Sequence, residues 1–411
     1  MRRYLKTGFS LPWYFMAIAW LMAIMSIASV TGGLFNLMVY ITIGKFTLYA
    51  LGLTFLFFKI KKINVDVLLL LFVGYLVLNI FLGDIPAVFN VKSRFGLFLL
   101  VIALFSHLIQ NHLFREFRHV FLNSLFYLMI AVSVISFVCY FLGVNLMYRY
   151  GAFLDDYESS AGHFSGILGH SMLLGPIAGL SSVFLFHEYL NKKKRLILVL
   201  LIMCVGANML AASRAAFGAM LIAQAYELYA VSKSKTAFLK RSLILGLILL
   251  LTFPIWNSGL SLLEKKQHSR EIEDSGMYDS RTEKVENRLK EFYSSPIIGI
   301  GYQSVSMHSS DAPNIRGDGN IEPGSSWLCI LSMTGIVGFL FMISIFRKAY
   351  KSALFAVDGN NVLLISLLIF YTVHMLVEGY VFAGGSFLCM HLWLIIGVCI
   401  DSKYMCQNDL C

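Results

Sequence analysis

Residues 279–302 read DSRTEKVENRLKEFYSSPIIGIGY and lie inside a polar segment, 257–324, between long apolar stretches. Ser280 and Glu283 have the spacing of a capping box, in which each residue satisfies a free backbone N–H at the start of a helix. The pattern predicts a helix that begins at Ser280 and must end at Pro296, because proline cannot continue a helix. The sequence therefore predicts one structured polar segment carried by an apolar frame.

The predicted helix is amphipathic. At about 100° per residue, Val285, Leu289 and Phe292 form one apolar stripe, and Arg281 and Arg288 lie along its edge. We expect this stripe to be buried against the apolar frame, which would hold the guanidinium of Arg281 at the membrane boundary.

Composition determines the class of the frame. Of 411 residues, 58% are hydrophobic and 14% are charged, and the mean hydropathy is +0.73. Such a chain cannot form a soluble surface, so the fold class is an all-α polytopic integral membrane protein. We place about twelve spans near 11–30, 35–58, 67–83, 95–109, 120–142, 165–186, 196–212, 215–231, 242–257, 325–346, 361–377 and 385–400. Lys45 is far inside its span, where a lysine costs about 3 kcal/mol, so it should face the bundle interior or a water-filled cavity.

The net charge of +10 comes from basic residues whose positions indicate how the chain is oriented in the membrane. Basic clusters occupy the N-terminus and every second loop, which predicts cytoplasmic termini and places 257–324 on the outer face. Nucleic acid is therefore not an expected partner. The predicted domains are an N-terminal membrane domain 1–256, the large loop 257–324 and a C-terminal membrane domain 325–411.

The sequence predicts neither a metal site nor a cofactor. It has no CxxC or HExxH motif, no spaced set of ligands and no nucleotide-binding glycine fingerprint. Five of the seven cysteines fall in predicted spans and two in the C-terminal tail, which indicates structural thiols rather than disulfides.

Three segments on the predicted outer face carry candidate chemistry. One is FSGILGHSMLLG at 164–175, with His170. Another is the hinge SRAAFG at 213–218, where small residues restrict the freedom of Arg214 to reach water. The last is the loop helix with the glycines that follow it.

These segments resemble the O-antigen ligase and polymerase superfamily. SRAAFGAM at 213–220, the stretch 279–304 and SSWLCILSMTGIVGFLFMI at 325–343 are similar to its three hallmark stretches, and 164–175 is similar to a weaker fourth. The resemblance implies a GT-C-like glycosyltransferase of the bacterial inner membrane that needs no metal. Its implied partners are membrane lipid and undecaprenyl-diphosphate-linked oligosaccharides as donor and acceptor. A chain-length regulator protein is a further candidate partner.

The resemblance also implies roles for individual residues. The family arginines that contact the donor diphosphate correspond to Arg214 and Arg281. Family ligases carry a catalytic histidine at the end of the large loop, where this sequence reads IEPGSS at 321–326. The difference favours a polymerase over a ligase, with His308 as the nearest alternative histidine.

The reaction also requires a base. A sugar linked to a lipid diphosphate needs stabilisation of charge on the leaving oxygen and deprotonation of an acceptor hydroxyl. Arginine suits the first task because its planar fork binds phosphate oxygens in pairs. Glu322, Asp318, His170 and Glu378 are alternatives for the base. The predicted catalytic residues are thus Arg281, Arg214, Glu322 and His170, and the predicted substrate-binding residues are Arg288, His308, Gly299 and Gly301.

Two other classes remain open at this point. A flippase or transporter for lipid-linked sugars would also have about twelve spans, but it would usually show repeated halves. A structural membrane scaffold would not need arginines on the periplasmic face. The sequence favours a polymerase that joins repeat units of O-antigen, capsule or exopolysaccharide.

Overall fold

The computed structural model describes residues 12–60, 63–82, 91–146, 148–149, 152–153, 164–232, 234–236, 239–240, 280–305, 324–356 and 360–408. In this part of the chain we number twelve α-helices. They are α1 Trp13–Ala28, α2 Met38–Lys59, α3 Val67–Leu82, α4 Val91–Phe105, α5 His112–Phe141, α6 Ser171–Lys192, α7 Arg195–Leu210, α8 Arg214–Val231, α9 Ser280–Ser294, α10 Ser326–Ala353, α11 Asn360–His374 and α12 Phe387–Asn408. A 3₁₀ helix, Gly32–Leu37, precedes α2. The strands β1 Asn64–Val65 and β2 Ile109–Gln110 form one short antiparallel ladder, and β3 Tyr148–Arg149 and β4 Ala152–Phe153 form another.

The helices coincide with eleven of the twelve predicted spans, and the twelfth, 242–257, lies outside the described residues. Among the described helices α2, α5, α6, α10 and α12 are long and apolar enough to cross a membrane, and α1, α3, α7 and α11 are apolar but shorter. The helical architecture is therefore confirmed. The count of twelve crossings remains a prediction.

Large apolar side chains cover the outside of the bundle. Phe58, Phe81 and Phe141 are 83%, 81% and 71% exposed, respectively. In water such a surface would be costly, but it suits helices whose outer faces meet lipid chains. The interior is also apolar, and α12 is the most enclosed of the long helices.

The loops gather at two ends of the bundle. At the first, Thr31 after α1 bridges Leu168 before α6, and Gln303 donates to the Phe382 carbonyl between α11 and α12. We call this the site end. At the other, which we call the basic end, the β1–β2 ladder joins the α2–α3 and α4–α5 loops, and an ion pair joins Asp66 to Lys348 of α10. Which of the two ends faces the cytoplasm remains a prediction from the basic clusters.

Lys45 of α2 faces the interior at the site end, as its position in an apolar helix requires. It is buried, and its Nζ donates to Ser29 Oγ and to the Gly385 carbonyl, both at 3.2 Å. The ammonium also lies 4.7 Å from the centre of the Phe46 ring. These contacts replace water around the charge and join α1, α2 and the α11–α12 loop.

Candidate functional site

The N-termini of α6 and α8 meet at the site end. Gly175, in the second turn of α6, lies so close to Ser213 that an added Cβ would be 2.6 Å from the serine Cβ. Asn208, near the end of α7, donates to the Gly175 carbonyl at 3.0 Å. The structure therefore brings together two of the predicted segments, 164–175 and 213–218.

Arg214 begins α8 and is exposed. The hinge before it is fixed, because Ala211 and Ala212 are buried and the Ser213 side chain accepts from the Ala216 N–H. Ala212 adopts a φ of +50°, a left-handed turn that few non-glycine residues make. The rigid hinge presents the guanidinium at the site end rather than letting it follow a flexible loop.

His170 is the N-cap of α6. Its Nδ1 accepts from the Met172 N–H at 3.0 Å, so in the neutral ring the proton is on Nε2. A ring in this tautomer can donate to a substrate through Nε2. To act as a base it would have to release the cap, so the structure favours a donor role for this half-buried side chain.

The loop helix begins and ends as predicted. α9 starts at Ser280 and ends at Ser294, two residues before Pro296. The prediction about its buried face is wrong, because Val285 is 40% exposed, Leu289 and Phe292 are only half-buried and Arg288 is 1% exposed.

The buried face of α9 carries an ion pair instead of the apolar stripe. Arg288 Nη1 lies 3.0 Å from Glu291 Oε2, and both side chains are buried. Positions three apart share one helix face, so this pair turns α9 by about a quarter of a turn from the predicted orientation. The stripe with Val285 then lies at the outside, where lipid can cover it.

The segment after α9 inserts into a break in α10. At Gly335 the helix is interrupted by φ +63° and ψ −169°, which only glycine adopts readily. The Ile336 N–H donates to the Pro296 carbonyl at 2.9 Å, and the Ile300 N–H donates to the Ser332 carbonyl at 2.9 Å. The loop thus supplies hydrogen bonds that the broken helix has lost.

Gly299 and Gly301 allow this contact. A Cβ on Gly299 would lie 2.4 Å from the Met333 carbonyl group, and the Gly301 N–H donates to the same carbonyl at 3.1 Å. Both glycines have positive φ. Their part in substrate binding stays a prediction, and their packing against α10 explains the need for glycine.

α3 closes the other side of the break. Tyr75 Oη donates to the Thr334 carbonyl at 2.6 Å, and Asn79 Nδ2 donates to the Ile298 carbonyl at 2.6 Å. The Thr334 carbonyl lies directly before the break at Gly335, and the Ile298 carbonyl belongs to the loop segment that inserts there. The two polar side chains of an otherwise apolar helix therefore satisfy the groups that the break exposes.

The start of α9 lies beside the end of the large loop. An added Cβ on Gly324 would be 3.4 Å from Lys284 Cβ, and Arg281 precedes Lys284 by about one turn. For Arg281 the structure describes only the backbone, which is part of α9. Glu322, His308 and Asp318 lie outside the described residues.

α11 connects the two halves of the site end. Gly179 of α6 packs against Phe370 of α11, and Ser326 at the start of α10 donates through Oγ to the Glu378 carbonyl just after α11, at 2.6 Å. Glu378 is half-buried. Both α6, on which the hinge packs, and α10, on which the loop helix packs, therefore contact α11.

Arg94 also lies at the site end, although the sequence did not predict it as a site residue. This residue lies in the first turn of α4, and its Nη1 donates to Gln303 Oε1 at 3.4 Å. Gln303 is held in turn by the Phe382 carbonyl. Beside it, burial raises the pKa of Tyr302 far above its ordinary value, so this hydroxyl stays protonated. The sequence contained one indication of such a role, because Arg94 directly precedes the predicted span 95–109.

In the described part of the chain, no group of three or more His, Cys, Asp or Glu side chains is placed to hold a metal ion. The free cysteines Cys139, Cys204, Cys329, Cys389 and Cys399 are all buried. Metal independence itself remains a prediction.

Fold and site together define a helical membrane protein in which a polar loop completes a broken helix. The O-antigen ligase family model matches residues 196–343, which include α7, α8, α9 and the broken part of α10. The match supports the resemblance of this part of the chain to the O-antigen ligase and polymerase superfamily. A comparison with curated proteins found no matching relative.

Proposed function

We propose that this protein is a polymerase that joins undecaprenyl-diphosphate-linked oligosaccharide repeat units of O-antigen, capsule or exopolysaccharide. The observation that carries the proposal is the family match over 196–343. Within this range the hinge packs on α6, and the loop helix packs on α10. Members of the superfamily act on lipid-linked oligosaccharides, and a membrane protein whose polar segment carries a docked helix suits such a substrate.

In the proposed reaction an acceptor hydroxyl oxygen attacks the anomeric carbon of the donor sugar. The bond from that carbon to the diphosphate oxygen breaks, and its electron pair leaves on undecaprenyl diphosphate. The hydroxyl proton passes to a base. Arg214 and Arg281 stabilise the leaving diphosphate, and they take the place of a divalent ion as counter-charge.

Two features of the site support these roles. Arg214 is exposed on a rigid hinge at the start of α8. Arg281 is in the first turn of α9, where free backbone N–H groups also favour an anion. Arg94 adds a third guanidinium at the same end, and we assign it to the diphosphate or to an acidic sugar.

The base is one of the carboxylates near the end of the large loop. Glu322 precedes Gly324 by two residues, and Gly324 lies beside Lys284 of α9. His170 caps α6 through Nδ1 and is better suited to donate a hydrogen bond. We therefore assign Glu322 as the base and His170 as a donor to substrate.

The orientation follows from the charges. Described basic residues collect at the basic end, among them Lys59, Arg115 and Lys348, and the turn between α6 and α7 adds Lys192 to Arg195. We assign this end, with both termini, to the cytoplasm of a bacterium. The site end then faces the periplasm, where lipid-linked repeat units are polymerised.

Polymerase is preferred to ligase because IEPGSS at 321–326 has no histidine. The test uses purified protein in lipid vesicles with a lipid-linked repeat unit as the only substrate. A polymerase lengthens the repeat into a ladder of products. A ligase would require lipid A-core as acceptor, and a flippase would move the substrate between leaflets without lengthening it, so either outcome would reject the proposal.

A further inference from the structure

A charged cavity lies at the basic end, remote from the candidate site. Its volume is about 380 Å³, and it opens between the C-terminal parts of α10 and α12. Four basic side chains line it, Arg347, Lys348, Lys351 and Lys403. The polymerase proposal gives this cavity no role.

The lining carries an excess of positive charge. Its residues include no carboxylate. Lys348 Nζ lies 2.5 Å from Asp66 Oδ2, so one of the four cations has a buried counter-ion. Arg347, Lys351 and Lys403 are exposed. Three positive charges around one small cavity favour an anion of more than one negative oxygen.

One wall of the cavity is rigid. Tyr404 stacks on His107, with ring centroids 5.3 Å apart, and Arg115 lies 5.2 Å from the Tyr404 ring centroid. One turn earlier, Asp401 pairs with buried Arg118 at 2.7 Å. Because Arg118 and His107 bind Asp401, its charge does not neutralise the cavity.

The face of α10 that leads to the cavity changes from apolar to basic. Leu340 and Ile343 are 57% and 41% exposed and precede Arg347 and Lys351 on the same side of the helix. Phe355, 57% exposed, follows at the rim of the cavity. An amphiphile with apolar chains and an anionic head would fit this helix face, where an apolar surface leads to a basic cavity.

We propose that the cavity binds the headgroup of an anionic phospholipid, with the phosphodiester between Arg347, Lys351 and Lys403 and the acyl chains along Leu340 and Ile343. Basic pockets between membrane helices on the cytoplasmic side are suited to such headgroups. The ligand would hold the ends of α10 and α12 together. This site does not depend on the glycosyltransferase proposal.

The competing explanation is that these residues only orient the protein in the membrane. The turn between α6 and α7 offers a matched control, since Lys193, Lys194 and Arg195 are equally basic but do not line this cavity. A topology signal would make the two clusters equivalent towards lipid. A binding site would make only the cavity cluster matter.

The experiment is a lipid titration of purified protein followed by native mass spectrometry. The probes are phosphatidylglycerol, phosphatidylcholine and inorganic phosphate. The cavity variant is Arg347→Gln with Lys351→Gln and Lys403→Gln, and Lys348 is kept because it pairs with Asp66. The control variant replaces Lys193, Lys194 and Arg195 by glutamine.

We expect the unaltered protein to retain phosphatidylglycerol in preference to phosphatidylcholine. The cavity variant should bind phosphatidylglycerol about a hundredfold more weakly, since each basic side chain near the surface contributes roughly a factor of five. The single change Lys351→Gln, which is less disruptive, should cost about fivefold. The control variant should bind within about twofold of the unaltered protein.

Three results would overturn the assignment. Equal binding of phosphatidylglycerol by the cavity and control variants would mean that the basic residues only orient the protein in the membrane. Equal retention of both lipids would remove the role of headgroup charge. Displacement of the lipid by inorganic phosphate at a similar concentration would identify a general anion site.

Discussion

Gly335→Ala tests how the loop is held in the break of α10. The φ of +63° with ψ −169° is strained for alanine by about 1–3 kcal/mol. The new Cβ would also lie 2.2 Å from the Ile297 carbonyl oxygen, so the loop must move away. That movement breaks the hydrogen bonds from Ile336 to Pro296 and from Val337 to Ile297, at about 1 kcal/mol each.

The summed cost is about 3–5 kcal/mol, or roughly two to four orders of magnitude in the population of the docked loop. Since α9 is joined to this loop, we expect cells with Gly335→Ala to make single repeat units in place of long polysaccharide. Gel profiles of surface polysaccharide measure the chain length. Hydrogen exchange at the amides of 299–301 in purified protein measures the docking directly.

Gly74→Ala is the matched control. Gly74 is in α3, and an added Cβ there would meet nothing within 4 Å, so long chains should persist. Normal chain length in Gly335→Ala together with unchanged exchange at 299–301 would refute the reasoning. Gly299→Ala tests the same contact from the loop side.

Arg281→Lys keeps the charge but loses the paired donors, so the polymerisation rate should fall about 10²–10³-fold while the abundance of the protein in membranes is unchanged. Arg94→Gln should weaken donor binding and raise KM more than it lowers kcat, measured with the purified lipid-linked repeat. Chelator should leave the rate of purified protein unaltered, because arginines supply the counter-charge. Reporter tags at Lys235 and near His308 should report cytoplasm and periplasm, respectively.

Each of these predictions has a contrary outcome. Near-normal chains from Arg281→Ala would remove the arginine from the mechanism. An unchanged KM in Arg94→Gln would leave that side chain as a structural partner of Gln303. Restoration by magnesium of a rate lost in chelator would require a metal site. A cytoplasmic signal near His308 would reverse the proposed orientation.

The sequence predicts the helices well because hydrophobic length is a local property. The start of α9 at Ser280 was equally predictable, since a capping box is read from four neighbouring residues. The interior position of Lys45 followed from the cost of placing an ammonium in lipid. In each case the physical cause lies within one segment.

The break at Gly335 could not be predicted in the same way. Its surroundings, SMTGIVGF at 332–339, lie within the most apolar of the long described helices, and the partner that replaces the lost hydrogen bonds is about forty residues earlier in the chain. The orientation of α9 failed for a related reason. Buried Arg288 and Glu291 form an ion pair three residues apart, which a hydrophobicity pattern assigns to solvent.

The contact between the loop and α10 limits which segments this protein could exchange with a relative in a chimera. Without residues 296–301, the Ser332 and Met333 carbonyls would lose the N–H groups of Ile300 and Gly301 in an apolar setting, where each carbonyl left unpaired costs about 1–3 kcal/mol. A chimera that imports the large loop from another such enzyme would therefore fail unless it also imports α10, and with it Tyr75 and Asn79 of α3. The large loop, α10 and α3 would therefore have to be exchanged together.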